Sequence, residues 1–384
     1  MRLDRIVLKN WRNFKQVDIA VADRLFVYGP NASGKSNLLD AIRFLSDLTL
    51  PGGGLQRAVA DRQGMKLVRS LASRNANKGL VTLGVFLSEG DTEWEYELSI
   101  TAEKSGLKRP IVASERVVRS GKVLLERPDG DDERDPERAT QTALEQVGGN
   151  KAFREIARFL GSVRYLHLVP QVIRDPARSG DRVDDPFGGD FLARVARTPE
   201  KERQRRLRVI NDALKVAVPQ LEGIELLRDA DQRPHLGARY MHWRVNGARQ
   251  DETAFSDGTL RLIGLLWSLQ EDGHETGPIL LEEPELSLHE AVVSQLPSII
   301  YRASKKSGRQ VIATTHASDL LNDEGLGLDE VLVLSPSVEG TTAALAKDMP
   351  DVAELCRTNH TLKESLAAHL LPTEISALAS TSFG

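Results

Sequence analysis

The octapeptide GPNASGKS at residues 29–36 is the feature that most restricts what this chain can fold into. It fits the pattern G-x-x-x-x-G-K-[ST], and it stands between the apolar run RLFVY and the helix-patterned stretch KSNLLDAIRFLSDL. A strand, a glycine-rich loop and a helix in this order form the context that a phosphate-binding loop requires. The glycines let backbone N–H groups surround phosphate oxygens, and the helix directs its positive end to the same place.

The loop therefore predicts a site for a nucleoside triphosphate. Lys35 would reach the β- and γ-phosphates, and the hydroxyl of Ser36 would bind Mg²⁺. The alternative is a glycine-rich turn that carries a solvated lysine.

Two adjacent glutamates close an apolar run near residue 280. Ile279, Leu280 and Leu281 are typical of a buried strand, and Glu282 and Glu283 follow them directly. Because an unpaired carboxylate is costly to bury, the pair is either a surface turn or part of a site that holds a cation. Beside a nucleotide, Glu282 would hold the metal ion, directly or through its water. Glu283 would orient or deprotonate the attacking water.

Two further segments have both a structural and a functional interpretation. The apolar run VIATT ends in His316, which is either a structural residue at a strand end or a hydrogen-bond donor to the γ-phosphate. The stretch FSDGTLRLIGLL begins a helix at Ser256, which is a typical N-cap residue. With Gly258, the same helix start is also suited to bind an anion.

Composition excludes few classes of function. The 384 residues are 40% hydrophobic and 28% charged, which is typical of a globular chain of two or three domains or of one large α/β unit with insertions. The net charge of −4 gives no general attraction to DNA, so a DNA contact would need a local basic surface. No apolar run is long enough for a membrane helix, and the single cysteine fits a reducing cytoplasm, so we expect a cytoplasmic protein without a membrane partner.

Strand and helix patterns alternate at both ends of the chain, with different material between them. Short runs over residues 80–127 predict an antiparallel meander, and the acidic stretch 128–137 predicts a loop. Helical patterns follow over 139–162 and 187–218. Pro297 should kink or split the helix in which it lies.

As a set, these motifs resemble an ABC-type ATPase of the RecF/SMC/OLD-like branch, the prokaryotic AAA-family ATPases of DNA repair or anti-phage defence. The resemblance covers about 150 residues at the two ends of the chain. The segments that carry it are LKNWRNFK, GPNASGKSNLLDAIRFL, FSDGTLRLIGLLWSL as a signature motif, ILLEEPELSLH as Walker B with its D-loop, and VIATTH as the H-loop.

The resemblance implies an α/β fold: an ABC-ATPase head of the P-loop class, with an antiparallel β-subdomain and an inserted helical lobe. The expected domains are the N-terminal part of the ATPase core (1–50), the β-subdomain (51–135), the helical lobe (136–253), the C-terminal part of the core (254–345) and a helical tail (346–384).

The resemblance also assigns roles to individual residues. Lys35, Glu283 and His316 would be catalytic, and Ser36, Glu282 and the Q-loop candidate Gln171 would hold Mg²⁺. Trp11 and Phe14 are interpreted as core residues rather than as adenine-stacking groups. ATP contacts are expected from Arg12, Asn13, Gly29, Pro30, Asn31, Ala32, Ser33, Gly34, Lys35, Ser36, Asn37, Ser256 and Gly258.

The resemblance further implies that two chains form a homodimer. Each ATP would lie between the phosphate loop of one chain and Ser256 and Gly258 of the other, and higher oligomers stay open. Three departures from the usual pattern stand out. Glu282 replaces the common aspartate, S-D-G-T replaces S-G-G-Q, and His289 occupies a D-loop position often held by aspartate.

Several functional interpretations stay open at the level of sequence. The first is a sensor or clamp ATPase coupled to a separately encoded effector such as a nuclease. The alternatives are the nucleotide-binding subunit of a membrane transporter and a nuclease in its own right, although the 68 residues after His316 are few for a nuclease domain. The basic stretch 197–210 is either a solvated helix face or a DNA or partner surface.

Overall fold

The computed structural model describes residues 1–70, 79–175, 184–241, 248–271, 276–358 and 360–370. Within these residues the strands are, in chain order, β1 (Arg2–Trp11), β2 (Phe14–Ala20), β3 (Arg24–Tyr28), β4 (Val81–Glu89), β5 (Thr92–Ala102), β6 (Pro110–Arg119), β7 (Lys122–Arg127), β8 (Arg164–Leu166), β9 (Leu221–Arg228), β10 (Pro234–Tyr240), β11 (Ala248–Asp251), β12 (Ile279–Glu282), β13 (Val311–Thr315), β14 (Val331–Ser337) and β15 (Gly340–Leu345).

The α-helices of the described residues complete the mixed α/β architecture that the sequence predicts. They are α1 (Lys35–Thr49), α2 (Leu55–Ala60), α3 (Met65–Val68), α4 (Gly130–Arg134), α5 (Arg154–Gly161), α6 (Pro170–Arg174), α7 (Phe191–Arg197), α8 (Glu200–Ala217), α9 (Asp257–Ser268), α10 (Glu290–Val293), α11 (Leu296–Ser307), α12 (Pro350–Arg357) and α13 (Leu362–Leu370).

The chain divides into two compact units. Unit 1 contains Met1–Val163, Gly273–Leu280 and Arg309–Gly384, and unit 2 contains Arg164–Asp272 and Leu281–Gly308. The predicted helical tail begins as α12 and α13, and its residues 371–384 lie outside the described residues.

The first sheet of unit 1 is antiparallel and has the strand order β2-β1-β4-β5-β6-β7. The predicted meander over residues 80–127 is confirmed, because β4 to β7 pair in sequence order. The hairpin of β1 and β2 joins the same sheet through the pairing of β1 with β4. Trp11 and Phe14 face each other across the tight turn of that hairpin and are fully buried, so their interpretation as core residues is confirmed.

In the second sheet, β3 lies between strands on both sides. The strands of this sheet in unit 1 follow the order β15-β14-β3-β13-β12. β3 pairs in parallel with both β13 and β14, and all five of its residues are buried. Continuous burial is typical of a parallel strand with helices on the sheet faces, and here α1 packs against β13.

Unit 2 combines helices with a three-stranded antiparallel sheet of order β11-β10-β9. Buried residues of α8, β10 and α9, among them Ile210, Leu236 and Trp267, form one apolar core. The prediction of a helical lobe over 136–253 omitted this sheet. In β9 only Leu221 and Ile224 are buried, whereas Glu222, Glu225, Leu227 and Arg228 are exposed. So short an apolar pattern gives little indication of a strand before its partner is known.

Pro297 splits its helical segment, as the sequence predicts. α10 ends at Val293, and α11 begins at Leu296 with Pro297 in its first turn. A proline lacks the N–H that an internal helix position donates, whereas the first turn does not need that donor.

The acidic stretch 128–137 contains a short helix, so its prediction as a loop was wrong. The side chain of Asp129 accepts hydrogen bonds from the N–H groups of Asp131 and Asp132 and thereby caps α4. Asp132 is bound by the buried guanidinium of Arg127, with Nη2 2.8 Å from its carboxylate. This hydrogen bond lowers the pKa of Asp132 to about 2. A contact with a neighbouring strand therefore orders a segment that is polar enough to stay a loop by itself.

The carboxylate of Glu115 on β6 is fully buried and hydrogen-bonded. It accepts from the hydroxyl of Tyr96 at 3.0 Å and from the backbone N–H groups of Ala143 and Leu144 at 2.6 and 3.0 Å. Nη1 of Arg127 lies 3.2 Å away. Four donors around one carboxylate tie β5, β6 and β7 to the turn at residue 143.

We predict that Glu115→Ala lowers the free energy of unfolding by about 3–5 kcal/mol, because Arg127 and two N–H groups lose their buried acceptor. Tyr96→Phe should cost about 1–2 kcal/mol. Urea unfolding followed by tryptophan fluorescence measures both. The exposed Glu126→Ala on β7 is the control, and we expect it to stay within about 0.5 kcal/mol of the wild type. Equal midpoints for Glu115→Ala and the wild type would show that the buried carboxylate is dispensable.

Candidate functional site

The phosphate loop joins β3 to α1 in unit 1. Gly34 caps α1 in a left-handed conformation with φ of 96°, and Lys35 is the first residue of the helix. The ammonium of Lys35 donates to the carbonyls of Gly29 at 2.9 Å and Pro30 at 3.2 Å. These bonds hold the only lysine of the loop inside its curve, with 6% of the residue exposed.

Neighbouring side chains approach both glycines of the loop too closely to leave room for a Cβ. A Cβ on Gly34 would lie 2.1 Å from Nδ2 of Asn13, and a Cβ on Gly29 would lie 2.6 Å from Oγ of Ser33. Within the described chain, no group accepts from the backbone N–H groups of Asn31, Ala32 and Gly34. A curved backbone with unpaired N–H groups at a helix start fits the oxygens of a phosphate.

Asn13 holds the phosphate loop in place. Its Nδ2 donates to the carbonyl of Ser33 at 2.9 Å and to the hydroxyl of Thr341 at 2.7 Å. Its Oδ1 accepts from Nδ2 of Asn37 at 2.8 Å. Because both amide protons are already donated, the arrangement favours a positioning role for Asn13, and the predicted ATP contact stays a prediction.

Arg12 is paired with a carboxylate on α1. Its Nη2 lies 2.7 Å from Asp40, which also accepts from Arg62 at 2.7 Å. A cleft of about 470 Å³ beside the loop is lined by residues that include Arg12, Asn13, Asn37, Leu67 and Val338. Whether Arg12 contacts phosphate stays a prediction.

His316 lies at the same sheet edge as the phosphate loop. β13 and β3 are parallel neighbours, with Thr315 opposite Tyr28, so both strands end together. The hydroxyl of Tyr28 donates to the carbonyl of His316 at 2.9 Å, and the residue is exposed. The structure thus fixes the backbone of His316 at this edge, where the residue is exposed.

The acidic pair ends β12, and its surroundings in unit 2 were not predicted. Ile279, Leu280 and Leu281 are buried, whereas Glu282 and Glu283 are half-buried. Glu283 has a φ of 45°, so the chain turns sharply there. Such a conformation is costly for a non-glycine residue and is often found at functional sites.

Three side chains of unit 2 contact or approach the acidic pair. The hydroxyl of Tyr165 donates to Oε2 of Glu282. Nδ1 of His167 lies 3.9 Å from the same oxygen, and Nη1 of Arg261 donates to the carbonyl of Glu283 at 3.4 Å. Burial lowers the pKa of His167, and the charge of Arg261 lowers it further. In the sequence, Tyr165 and His167 appear only as the alternation Y-x-H in a short apolar run. That pattern indicates a functional site only once β8 is known to lie beside the acidic pair.

The predicted signature motif begins α9. The hydroxyl of Ser256 accepts from the N–H of Thr259 at 3.1 Å, so its role as an N-cap is confirmed. A Cβ on Gly258 would lie 2.4 Å from the carbonyl of Ser287, which explains the glycine by the close passage of the D-loop segment. The ATP contacts predicted for Ser256 and Gly258 stay predictions.

Gln171, the Q-loop candidate, contacts the signature motif. Its Nε2 donates to Asp257 at 2.9 Å, and Nη2 of Arg174 lies 2.7 Å from the same carboxylate. The metal role of Gln171 therefore remains a prediction. Arg174 is a residue that the sequence did not single out, and it balances the charge that Asp257 adds to this signature.

The basic stretch 197–210 lies mainly on α8, where two glutamates pair with its arginines. Arg203 pairs with Glu200, and both Arg205 and Arg206 pair with Glu202. The two hydrogen bonds lower the pKa of Glu202 to about 2. This pairing favours a solvated helix face, and direct DNA binding stays a prediction.

The described residues offer neither a membrane-spanning helix nor a ready-made cluster of metal ligands. None of the described helices is long and apolar enough to cross a membrane. In the same part of the chain, no cluster of three or more histidine, cysteine, aspartate or glutamate side chains could hold a metal ion by protein ligands alone.

The fold is similar to solved heads of SMC proteins. An SMC head bound to the C-terminal winged-helix domain of ScpA gives a TM-score of 0.53 at 14% identity, covering 90% of this chain and 98% of that one. The SMC head domain of Thermotoga maritima gives 0.47 at 16% identity, covering 90% and 99%. The first likeness supports the ATPase-head fold that the sequence predicted.

A curated relative matches a short part of the chain. Endonuclease GajA of Bacillus cereus (strain VD045) is 36% identical over 58 residues, which are 15% of this chain. The match covers only a tenth of the length of that relative.

Two family models match by sequence. The P-loop containing region of an AAA domain matches residues 3–46. The AAA domain described as a putative AbiEii toxin of a type IV toxin–antitoxin system matches residues 25–322, which is well over half of the chain. The chain therefore belongs to this AAA-domain family and is a P-loop ATPase, and its fold is similar to that of SMC heads.

Proposed function

We propose that this ATPase is a switch in anti-phage defence or DNA repair, in which two chains close around two ATP molecules and separate after hydrolysis. The single observation that carries the proposal is the family match over residues 25–322, which includes the phosphate loop, the signature, the acidic pair and His316. The order of these motifs supports the assignment of all of them to one type of nucleotide site.

The phosphate loop binds the triphosphate in this proposal. The N–H groups of Asn31, Ala32 and Gly34 donate to phosphate oxygens, and Lys35 exchanges its two carbonyl acceptors for the β- and γ-phosphates. The adjoining cleft of about 470 Å³ takes the nucleoside, since Leu67 and Val338 offer apolar surface and Asn37 offers polar groups.

Mg²⁺ is held by oxygen ligands, which are the kind that this ion prefers. We assign the Ser36 hydroxyl and the Glu282 carboxylate to it, directly or through water, with Gln171 as a further candidate. The ion neutralises negative charge on the phosphate oxygens when it is bound. Glu282 is suited to this task because it is half-buried and its carboxylate is already held by Tyr165.

Hydrolysis then depends on two side chains. Glu283 orients the attacking water and accepts its proton as the water oxygen attacks the γ-phosphorus and the bond to ADP breaks. The imidazole of His316 donates a hydrogen bond to the γ-phosphate. Its place at the sheet edge where the phosphate loop begins supports this role.

Dimerisation places Ser256 and Gly258 of one chain against the triphosphate of the other. Charge-assisted hydrogen bonds to the γ-phosphate contribute about 1.5–3 kcal/mol each, so loss of that group weakens the closed state. The opening of the dimer changes the activity of a separately encoded effector. We propose that this effector is a nuclease. We propose a cytoplasmic location, and DNA is a further candidate partner.

An endonuclease activity of the chain itself is the second candidate function. The short match to Endonuclease GajA favours it, because that relative is an endonuclease. Metal-dependent cleavage of DNA that survives Lys35→Ala would establish this function apart from the ATPase. A role as the nucleotide-binding subunit of a transporter is the third alternative, and stable association with a membrane permease would support it.

We predict that Glu283→Gln keeps ATP binding but slows hydrolysis by about 10²- to 10⁴-fold, because glutamine cannot accept the proton of the water. Phosphate release and size-exclusion chromatography with ATP measure the rate and the trapped dimer. Glu290→Gln is the matched control, because Glu290 is exposed and has no predicted role in the site. This variant should hydrolyse ATP normally. Full turnover by Glu283→Gln would disprove the assignment of the base.

The pairing of sites between chains predicts a complementation. Ser256→Arg should prevent the closed dimer while the monomer still binds ATP, and Lys35→Ala should bind ATP poorly. A mixture of the two variants forms one competent site, from the loop of the first chain and the signature of the second. We therefore expect ATPase activity in the mixture that neither variant shows alone. Absence of recovery at every mixing ratio would argue against the shared site.

A further inference from the structure

The strand β8 and the residue that follows it bring two polar side chains to the acidic pair. Tyr165 lies within β8, the strand ends at the buried Leu166, and His167 follows directly. The hydroxyl of Tyr165 donates to Oε2 of Glu282. Nδ1 of His167 is buried, lies 3.9 Å from the same oxygen and has no hydrogen-bond partner in the described chain.

Glu282 needs such a partner more than an aspartate would. A glutamate has one methylene and one rotatable bond more than an aspartate, so its carboxylate samples more positions. Ordering that extra bond costs conformational entropy. A hydrogen bond to a charged carboxylate is stronger than one between neutral groups, so the bond from Tyr165 suffices to favour one rotamer.

We propose that Tyr165 is a positioning residue that fixes the carboxylate of Glu282 for Mg²⁺. This inference rests on the proposed function of Glu282 as a ligand of the metal ion or of its water. The hydroxyl of Tyr165 contacts the carboxylate of Glu282, so in this proposal it acts through Glu282. The pair of Tyr165 and Glu282 thus takes the place of the shorter aspartate that is more common at this position.

The test is Tyr165→Phe, which removes one oxygen and keeps the ring. We expect the Mg²⁺ concentration for half-maximal ATPase activity to rise about tenfold, with kcat at saturating Mg²⁺ within about threefold of the wild type. The Mg²⁺ dependence of the binding of a fluorescent, non-hydrolysable ATP analogue should shift by the same factor. This second readout does not depend on turnover. An unchanged Mg²⁺ dependence would overturn the proposal.

A double-mutant cycle separates positioning from a general structural role. Glu282→Ala removes the carboxylate that the hydroxyl contacts, so adding Tyr165→Phe in that background should change the Mg²⁺ dependence of nucleotide binding less than twofold. The same factor in both backgrounds would overturn the proposal, because Tyr165 would then act without Glu282.

Tyr96→Phe is the matched control, since it removes another tyrosine hydroxyl that donates to a glutamate, Glu115, at 3.0 Å. It should lower stability without changing the Mg²⁺ dependence. Thermal unfolding without Mg²⁺ shows whether Tyr165→Phe keeps its fold.

Glu282→Ala separates the proposed metal role of Glu282 from the proposed positioning role of Tyr165. If it leaves the Mg²⁺ dependence unchanged, the proposed metal role of Glu282 fails and the inference fails with it. If it shifts the Mg²⁺ dependence while Tyr165→Phe does not, only the inference on Tyr165 fails.

Discussion

The parallel pairing of β3 with β13 determines where the phosphate loop and His316 lie in unit 1. Because Tyr28 and Thr315 are opposite each other, the phosphate loop and His316 both begin at one edge of the sheet. Asn13 then holds the loop against α1 and Thr341, so the backbone curve does not depend on the loop sequence alone. A nucleotide site needs such a rigid backbone, since its donors act only where their directions are fixed.

Unit 2 shows how departures from a common motif are balanced locally. In the proposed site, the start of α9 binds an anion, and Asp257 adds a negative charge there. Arg174 and Gln171 bind the carboxylate of Asp257. Glu282 adds a flexible methylene, and Tyr165 binds its end. In both cases the partner lies on a neighbouring element of the same unit. The unusual residues of the motifs thus come with compensating contacts, which is expected if their chemistry is retained.

Much of the fold could be predicted from local patterns. The phosphate loop, the helix start at Ser256, the meander and the split at Pro297 all follow from the chemistry of neighbouring residues. The sheet of β9 to β11 and the helix α4 could not be predicted in this way. The helix α4 depends on the contact of Asp132 with Arg127 of β7, and the sheet depends on pairing between three short strands.

The sequence by itself determined which residues are suited to bind a nucleotide, because glycine, lysine, serine and paired carboxylates have few other reasons to occur in that order. Only the tertiary structure decided which side chains support them. Asn13 and Tyr165 gain their roles from hydrogen bonds that join different elements. Such partners are set by packing across the chain, and packing leaves no periodic pattern around a single asparagine or tyrosine.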